Sequence, residues 1–242
     1  MCTVTYLPLQ ERKYILTSSR DERILRPTAQ APQKVKVNNE LLLYPIDGLH
    51  RGTWFACSEK ERAICLLNGA FNKHLSHPPY KRSRGLLVLD AFGFSNANDF
   101  IFYYDFNGIE PFTMIFIDTN EFSELRWDGR KIVIRKLSKD LPYIWSSVTL
   151  YSEEVIRKRE YWFESWIDNN PHFDQKDVLN FHHFAGEGDI ENDIKMNRKN
   201  GMQTVSITSL YHYPEYNEMI YQDLISNNQS SERIYLNGVI KK

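Results

Sequence analysis

Position 2 holds the side chain with the most chemistry to offer. Clipping of an initiator Met ahead of a small residue would leave Cys2 carrying both a thiol and a free α-amino group. Such an amine has a pKa of ~8, so part of it is unprotonated at neutral pH and takes the thiol proton. Nucleophile and base then reside in one residue, and acyl transfer needs no catalytic histidine. The plainer alternative is a small buried side chain on a first strand. Other candidates are weaker. His74-x-x-His77 sits in a Pro-rich loop without the further ligands a zinc site requires, and the adjacent His182-His183 cannot share a helix face. Both pairs read as surface or interface histidines, and no metal site is expected. Gly186-Glu187-Gly188 follows a helix instead of opening one, which is the wrong context for a phosphate loop. No Ser-His-Asp set is legible.

The elements that must position these groups fit one domain over residues 1–242. A hydrophobic fraction of 42%, with 14% aromatic, supplies a sizeable core. Thirty basic side chains against 31 acidic ones leave a net charge of -1, which favours neither nucleic acid nor an anionic membrane surface. Three cysteines with no metal spacing fit a reduced, cytoplasmic chain, and Cys57 and Cys65 lie in apolar runs that read as core. No secretory signal and no apolar run of membrane-spanning length is legible.

Strand-type composition opens the chain at 2–7 and 14–17, followed by a charged turn over Ser18–Arg23 and an irregular loop over 26–40 that contains Pro27 and Pro32. Strands are expected at 52–57 and 62–67, the latter ending on Asn68-Gly69, a dipeptide suited to positive φ or close backbone approach. Helices follow at 83–92 and 97–104, then a meander at 112–118, 121–127 and 131–137, with Asp128-Gly129 as its last hairpin. Val155, Ile156, Trp162, Phe163, Trp166 and Ile167 recur at helical spacing after Ser152 as N-cap. Those aromatics, with Tyr161, read as core or as the lining of an apolar groove. A helix at 175–184, a mobile polar loop at 189–200 and strands at 204–211, 218–224 and 233–236 complete the pattern. Helices thus cover mostly antiparallel sheets.

Several short motifs occur in a characteristic order: Met1-Cys2, Ser19-Arg20-Asp21-Glu22, Arg26-Pro27, Gly52-Thr53-Trp54 and Ser83-Arg84-Gly85. Together they resemble the NRDE family, also described as transport and Golgi organisation 2, with Ser19 in place of the Asn that begins its signature. The resemblance is concentrated in the first 85 residues. It implies an α+β fold of N-terminal-nucleophile-hydrolase type: a four-layer αββα sandwich of two mainly antiparallel sheets flanked by helices. It places Cys2 as nucleophile at the head of the first strand and Arg20 beside it, holding a substrate carbonyl or acid or lowering the thiol pKa. Asp21 would fix the α-amine, with Glu22 as its substitute. Asn68 and the Gly69 N–H would form the oxyanion site, and Trp54 would contact substrate. No cofactor is implied.

Two departures from the family pattern bear on activity. Trp145-Ser146-Ser147 stands where the family tends to carry Leu-Ser-Asn, so Ser147 replaces a site Asn. Gln203 stands where an Arg precedes Thr, with Arg198 as a stand-in. The resemblance therefore implies either a cysteine hydrolase of a linear amide or thioester, or a non-catalytic carrier of an amphipathic ligand such as acyl-CoA, a lipid or haem. Oligomeric state is not legible.

Overall fold

The computed structural model describes residues 3–237, so Cys2, together with residues 238–242, lies outside the described residues. Among the described residues, sheet A has six strands in the order β10-β1-β2-β11-β12-β13, all antiparallel neighbours. They are β1 (Thr3–Pro8), β2 (Tyr14–Arg23), β10 (Tyr143–Ser146), β11 (Met202–His212), β12 (Tyr216–Asp223) and β13 (Asn228–Tyr235). Sheet B runs β3 (Gln30–Val37), β4 (Glu40–Ile46), β5 (Phe55–Ser58), β6 (Ala63–Asn68), β7 (Phe112–Ile117), β8 (Phe122–Trp127) and β9 (Ile132–Lys136), in that order. Helices α1 (Arg84–Ala91) and α2 (Ala97–Tyr103) pack on the outside of sheet B. Helices α3 (Glu153–Asn169) and α4 (Gln175–Phe184) cover sheet A. The fold is α+β, a four-layer αββα sandwich.

Local sequence explains the helix starts. Ser83, Asn96 and Ser152 each accept a backbone N–H at an N-cap, and Asp174 with Asp177 forms a capping box. Strands buried on both faces read as continuous apolar runs: β7 is Phe-Thr-Met-Ile-Phe-Ile, with every residue buried. Strand β2 instead separates two layers by its period of two. Tyr14 and Leu16 enter the core between the sheets, whereas Ile15 packs beneath α3 and α4.

Three expectations are corrected. Residues 26–40 are not an irregular loop, because β3 occupies most of them. Pro32 is tolerated there since β3 is an edge strand and the pairing is irregular between Gln30 and Gln33. Ser18–Arg23 is not a turn; β2 runs through it, with Arg20 and Asp21 buried. The 189–200 segment is anchored, since Ile194 and Met196 are buried and the fully buried Arg159 donates to the carbonyls of Asn192 and Asp193. The aromatic stripe of α3 divides: Phe163 is core, Trp162 and Trp166 lean on it, and Tyr161 is exposed.

Candidate active site

The two sheets meet at the end where β2 finishes and β1 begins, and a cleft of about 690 Å³ opens there. Arg20, on the inter-sheet face of β2, crosses to sheet B. Its Nη2 donates to Asp47 Oδ2 at 2.6 Å, and its guanidinium carbon lies 4.5 Å from the Trp54 ring centroid. The Asp47 carboxylate also accepts Nε and Nη2 of Arg26, at 3.1 and 3.0 Å, and the N–H groups of Leu49 and His50. Burial raises the Asp47 pKa. The Arg26 hydrogen bond, the His50 N–H and the two guanidinium charges outweigh it and hold this carboxyl below the usual range. The Trp54 indole N–H is buried and has no partner among the described residues.

Glycine makes the opposite wall possible. A Cβ on Gly52 would lie 2.4 Å from the carbonyl carbon of Gly85, and the Thr53 N–H donates to the Gly85 carbonyl at 2.9 Å. Gly52-Thr53-Trp54 and Ser83-Arg84-Gly85, two separate motifs in the sequence, are therefore mated backbone to backbone. Their contact sets the start of α1 against the cleft. Arg84 also lines the cleft and pairs with Glu110 at 2.9 Å, and burial, as the largest influence, lowers its pKa.

Of the expected site residues, Arg20, Glu22, Trp54 and Asn68 converge on this cleft. Glu22 pairs with Arg26 at 3.5 Å. Asn68 ends β6, and its backbone carbonyl accepts Ser147 Oγ at 2.8 Å; Ser147 also bonds Thr149 Oγ1 at 2.9 Å. Ser147 thus ties sheet A to sheet B and does not line the cleft. Gly69 takes the expected positive φ of 84°, but its N–H donates to the Pro111 carbonyl at 3.0 Å. That amide is committed within the fold and is not a free oxyanion donor. Gln203 pairs across the sheet with Glu22 and bridges Asn197, outside the cleft lining.

Asp21 faces the helix layer, away from the Arg20 side of β2. Thr204 Oγ1 donates to its Oδ1 at 2.5 Å and the Tyr151 hydroxyl to its Oδ2. The Tyr151 ring carries the Arg159 guanidinium at 3.6 Å and that of Arg198 at 5.2 Å. Arg159 Nη1 donates to Thr3 Oγ1 at 2.5 Å, which holds the first described residue of β1 from behind. Neither Arg159 nor Asp47 stood out in the sequence. Arg159 lies in a charged helical stretch, and Asp47 belongs to no recognised motif.

The histidine reading is corrected as well. His182 is fully buried, with Nε2 bonded to Thr5 Oγ1 and Nδ1 to Ser19 Oγ, each at 2.8 Å. Burial, then the neighbouring His183 and Arg159, lowers its pKa to about 3, so the ring is a neutral strut between β1 and β2. His183 lies half-buried, bonded to Gln222. Cys57 and Cys65 are fully buried in the inter-sheet core, and burial pushes both thiols up, Cys65 to about 12. Among the described residues, no three His, Cys, Asp or Glu side chains are grouped to hold a metal ion, and no helix is long and apolar enough to cross a membrane.

The architecture has solved counterparts. A mutant conjugated bile acid hydrolase from Clostridium perfringens superposes with a TM-score of 0.54 at 12% identity, over 100% of this chain and 99% of that one. A second variant of that hydrolase gives 0.52 at 11% identity, with the same coverage. The Caenorhabditis elegans orthologue of N-acylethanolamine-hydrolyzing acid amidase gives 0.57 at 13% identity, over 86% of this chain and 92% of that one. At these identities the likeness establishes the N-terminal-nucleophile-hydrolase fold. None of the curated proteins matches the sequence. The family model for transport and Golgi organisation 2 matches residues 1–216, and the chain belongs to that family.

Proposed function

We propose that the protein is a cysteine N-terminal-nucleophile hydrolase that cleaves a linear amide or thioester in the cleft between the sheets. The observation that carries this reading is the convergence of Arg20, Trp54 and Asn68, from both sheets, at the end where β1 begins. Cys2 is bonded to Thr3, whose partner across β2 is Ser19, the residue before Arg20. In the proposed reaction the α-amine of Cys2 takes the thiol proton, and sulfur bonds to the substrate carbonyl carbon. The tetrahedral oxyanion collapses, the carbon–nitrogen or carbon–sulfur bond of the substrate breaks, and the amine or thiol departs with the proton given up by the α-ammonium, leaving a thioester on Cys2. Water then attacks the acyl-enzyme, releasing a carboxylic acid and restoring the thiol. The Asn68 side-chain amide, for which no hydrogen bond occurs among the described residues, is the donor proposed for the oxyanion. The solved neighbours named as hydrolases of conjugated bile acids and N-acylethanolamines support an amide as the bond class.

One observation favours a second reading. With the Gly69 N–H committed to Pro111, one expected oxyanion donor is missing, as in a scaffold that carries an acyl-CoA, lipid or haem ligand without cleaving it.

Intact-mass spectrometry before and after limiting iodoacetamide separates the two. Loss of Met1, with Cys2 labelled ahead of Cys57 and Cys65, followed by turnover of an amide or thioester that Cys2→Ala abolishes, supports the hydrolase. A retained Met1, or full turnover in Cys2→Ala, rejects it. Saturable binding of acyl-CoA or haem without turnover supports the carrier.

A further inference from the structure

Four large aliphatic side chains lie open to solvent on turns at the cleft end of the sandwich. Leu25 is 93% exposed, Ile24 and Leu49 52% each, and Ile225 43%. The turns that carry them are joined to one another. Arg26, beside Leu25, is clamped to Asp47, whose carboxylate also caps the Leu49 turn. Gly48 sits so close to the carbonyls of Pro27 and Thr28 that a Cβ would approach to 2.4 Å. The Ile24 N–H donates to Gly201 at 3.0 Å, and Ile24 and Ile225 flank the same hollow. Chain ends that are merely loose would not be held in this way.

The charges on these turns are one-sided. Arg23, Arg51 and Lys199 are exposed, while the acids are already engaged. Asp47 holds two arginines, Glu22 pairs with Arg26, and Asp223 caps its own turn through the Ile225 N–H at 2.9 Å and Ser226 Oγ at 2.8 Å. Protruding aliphatics flanked by three exposed cations, against the one carboxylate of Asp223 that has no cationic partner among the described residues, match the two layers of an anionic lipid surface, apolar chains beneath phosphate and carboxylate headgroups. A net charge of -1 does not oppose this, because charges beyond a Debye length of about 8 Å are largely screened at physiological salt.

We propose that these turns form a peripheral docking surface for an anionic bilayer, with Leu25 as the deepest anchor and the cleft mouth brought to the lipid interface. The inference does not depend on whether the cleft hydrolyses its ligand. It is tested with the full chain by co-sedimentation with phosphatidylcholine vesicles, with and without phosphatidylserine at roughly one lipid in three. Sedimentation with the anionic vesicles is expected, weakening as salt rises. Leu25→Asp should lower the bound fraction at least ~tenfold, and Arg23→Glu by ~fivefold or more. Both sites are exposed, and thermal melts matching the parent confirm folding. The proposal is overturned if neither vesicle binds, or if Leu25→Asp binds like the parent. It is also overturned if Leu25→Asp abolishes a dimer in sedimentation while no vesicle is bound, since a second copy of the chain would then be the occupant.

Discussion

Asp47→Ala removes the carboxylate on which one side of the cleft is built. Arg20 keeps only 7% of its side chain accessible and Asp47 10%, so the lost pair is a buried one. Breaking such a pair typically costs about 3–5 kcal/mol, because a charge is left without its partner. The cleft admits water to Arg26, whose side chain is 25% accessible, so the lower end, about 3 kcal/mol, is expected here. At about 2–4 °C per kcal/mol for a domain of this size, the melting temperature should fall by about 6–12 °C. The pH dependence follows from the depressed Asp47 pKa. An acid whose folded pKa is lowered contributes stability above its unfolded pKa, and that contribution is lost as pH falls through the folded value. The gap between parent and Asp47→Ala should therefore be full at pH 7 and narrow below about pH 4, the ordinary range for this group. Urea denaturation at pH 7, 5 and 3 measures it. A gap under ~0.5 kcal/mol at pH 7, the range of ordinary surface substitutions, would refute the claim that Asp47 holds Arg20 and Arg26.

Other perturbations probe separate parts of the site. Gly52→Ala places a methyl 2.4 Å from the Gly85 backbone, and overpacking of this kind costs ~1–3 kcal/mol, readable by denaturation. His182→Ala strands the Thr5 and Ser19 hydroxyls and opens a cavity, for a loss of about 2–5 kcal/mol. The parent's His182 has a folded pKa lowered to about 3 from 6.5, so its neutral form gives full stability above about pH 6.5 and loses it as pH falls toward 3; His182→Ala should lack that slope. Cys57 and Cys65 should resist iodoacetamide in the folded protein and label fully in guanidinium, as followed by peptide mass spectrometry.

How legible this protein is from sequence depends on how local the cause is. Helix α4 is expected and observed over the same residues because its causes, the Asp174 cap, Asp177 and the apolar spacing, are all local. Strands β3 and β4 were obscured by Pro27, Pro32 and the lack of alternation. They pair as a tight hairpin closed by Asn38-Asn39, both at positive φ, a local signal outweighed by the prolines that precede it. Strand β10 was missed for another reason: four residues carry little period, and its place is fixed by pairing with β1 from far along the chain. The motif residues Arg20, Trp54 and Asn68 did lead to the cleft. Asp47 and Arg159 did not, because a buried charge looks like a surface charge until its partners are known. The commitment of the Gly69 amide is not legible locally, because its acceptor, Pro111, is remote in sequence.

The period of a β-strand also explains why a signature of adjacent charges can serve two layers at once. Arg20 and Asp21 are neighbours on β2, so their side chains must leave opposite faces of sheet A. Arg20 reaches the cleft, where Trp54 and Asp47 hold it. Asp21 enters the helix layer, where it accepts from Tyr151 and Thr204. There it faces an unusual concentration of positive charge. Arg159 is fully buried, its hydrogen-bond partners are carbonyls and the Thr3 hydroxyl, and it shares the Tyr151 ring with Arg198. A buried guanidinium without a nearby anion is costly, and Asp21, bonded to the hydroxyl of the Tyr151 ring on which Arg159 stacks, carries a negative charge on that side. Asp21→Asn should therefore loosen the grip of Arg159 on Thr3, at the head of β1, as well as any contact Asp21 itself makes. A double-mutant cycle between Asp21→Asn and Tyr151→Phe distinguishes the routes. Coupling above about 0.5 kcal/mol places the effect in the Tyr151 relay, whereas strict additivity would mean that Asp21 acts without it.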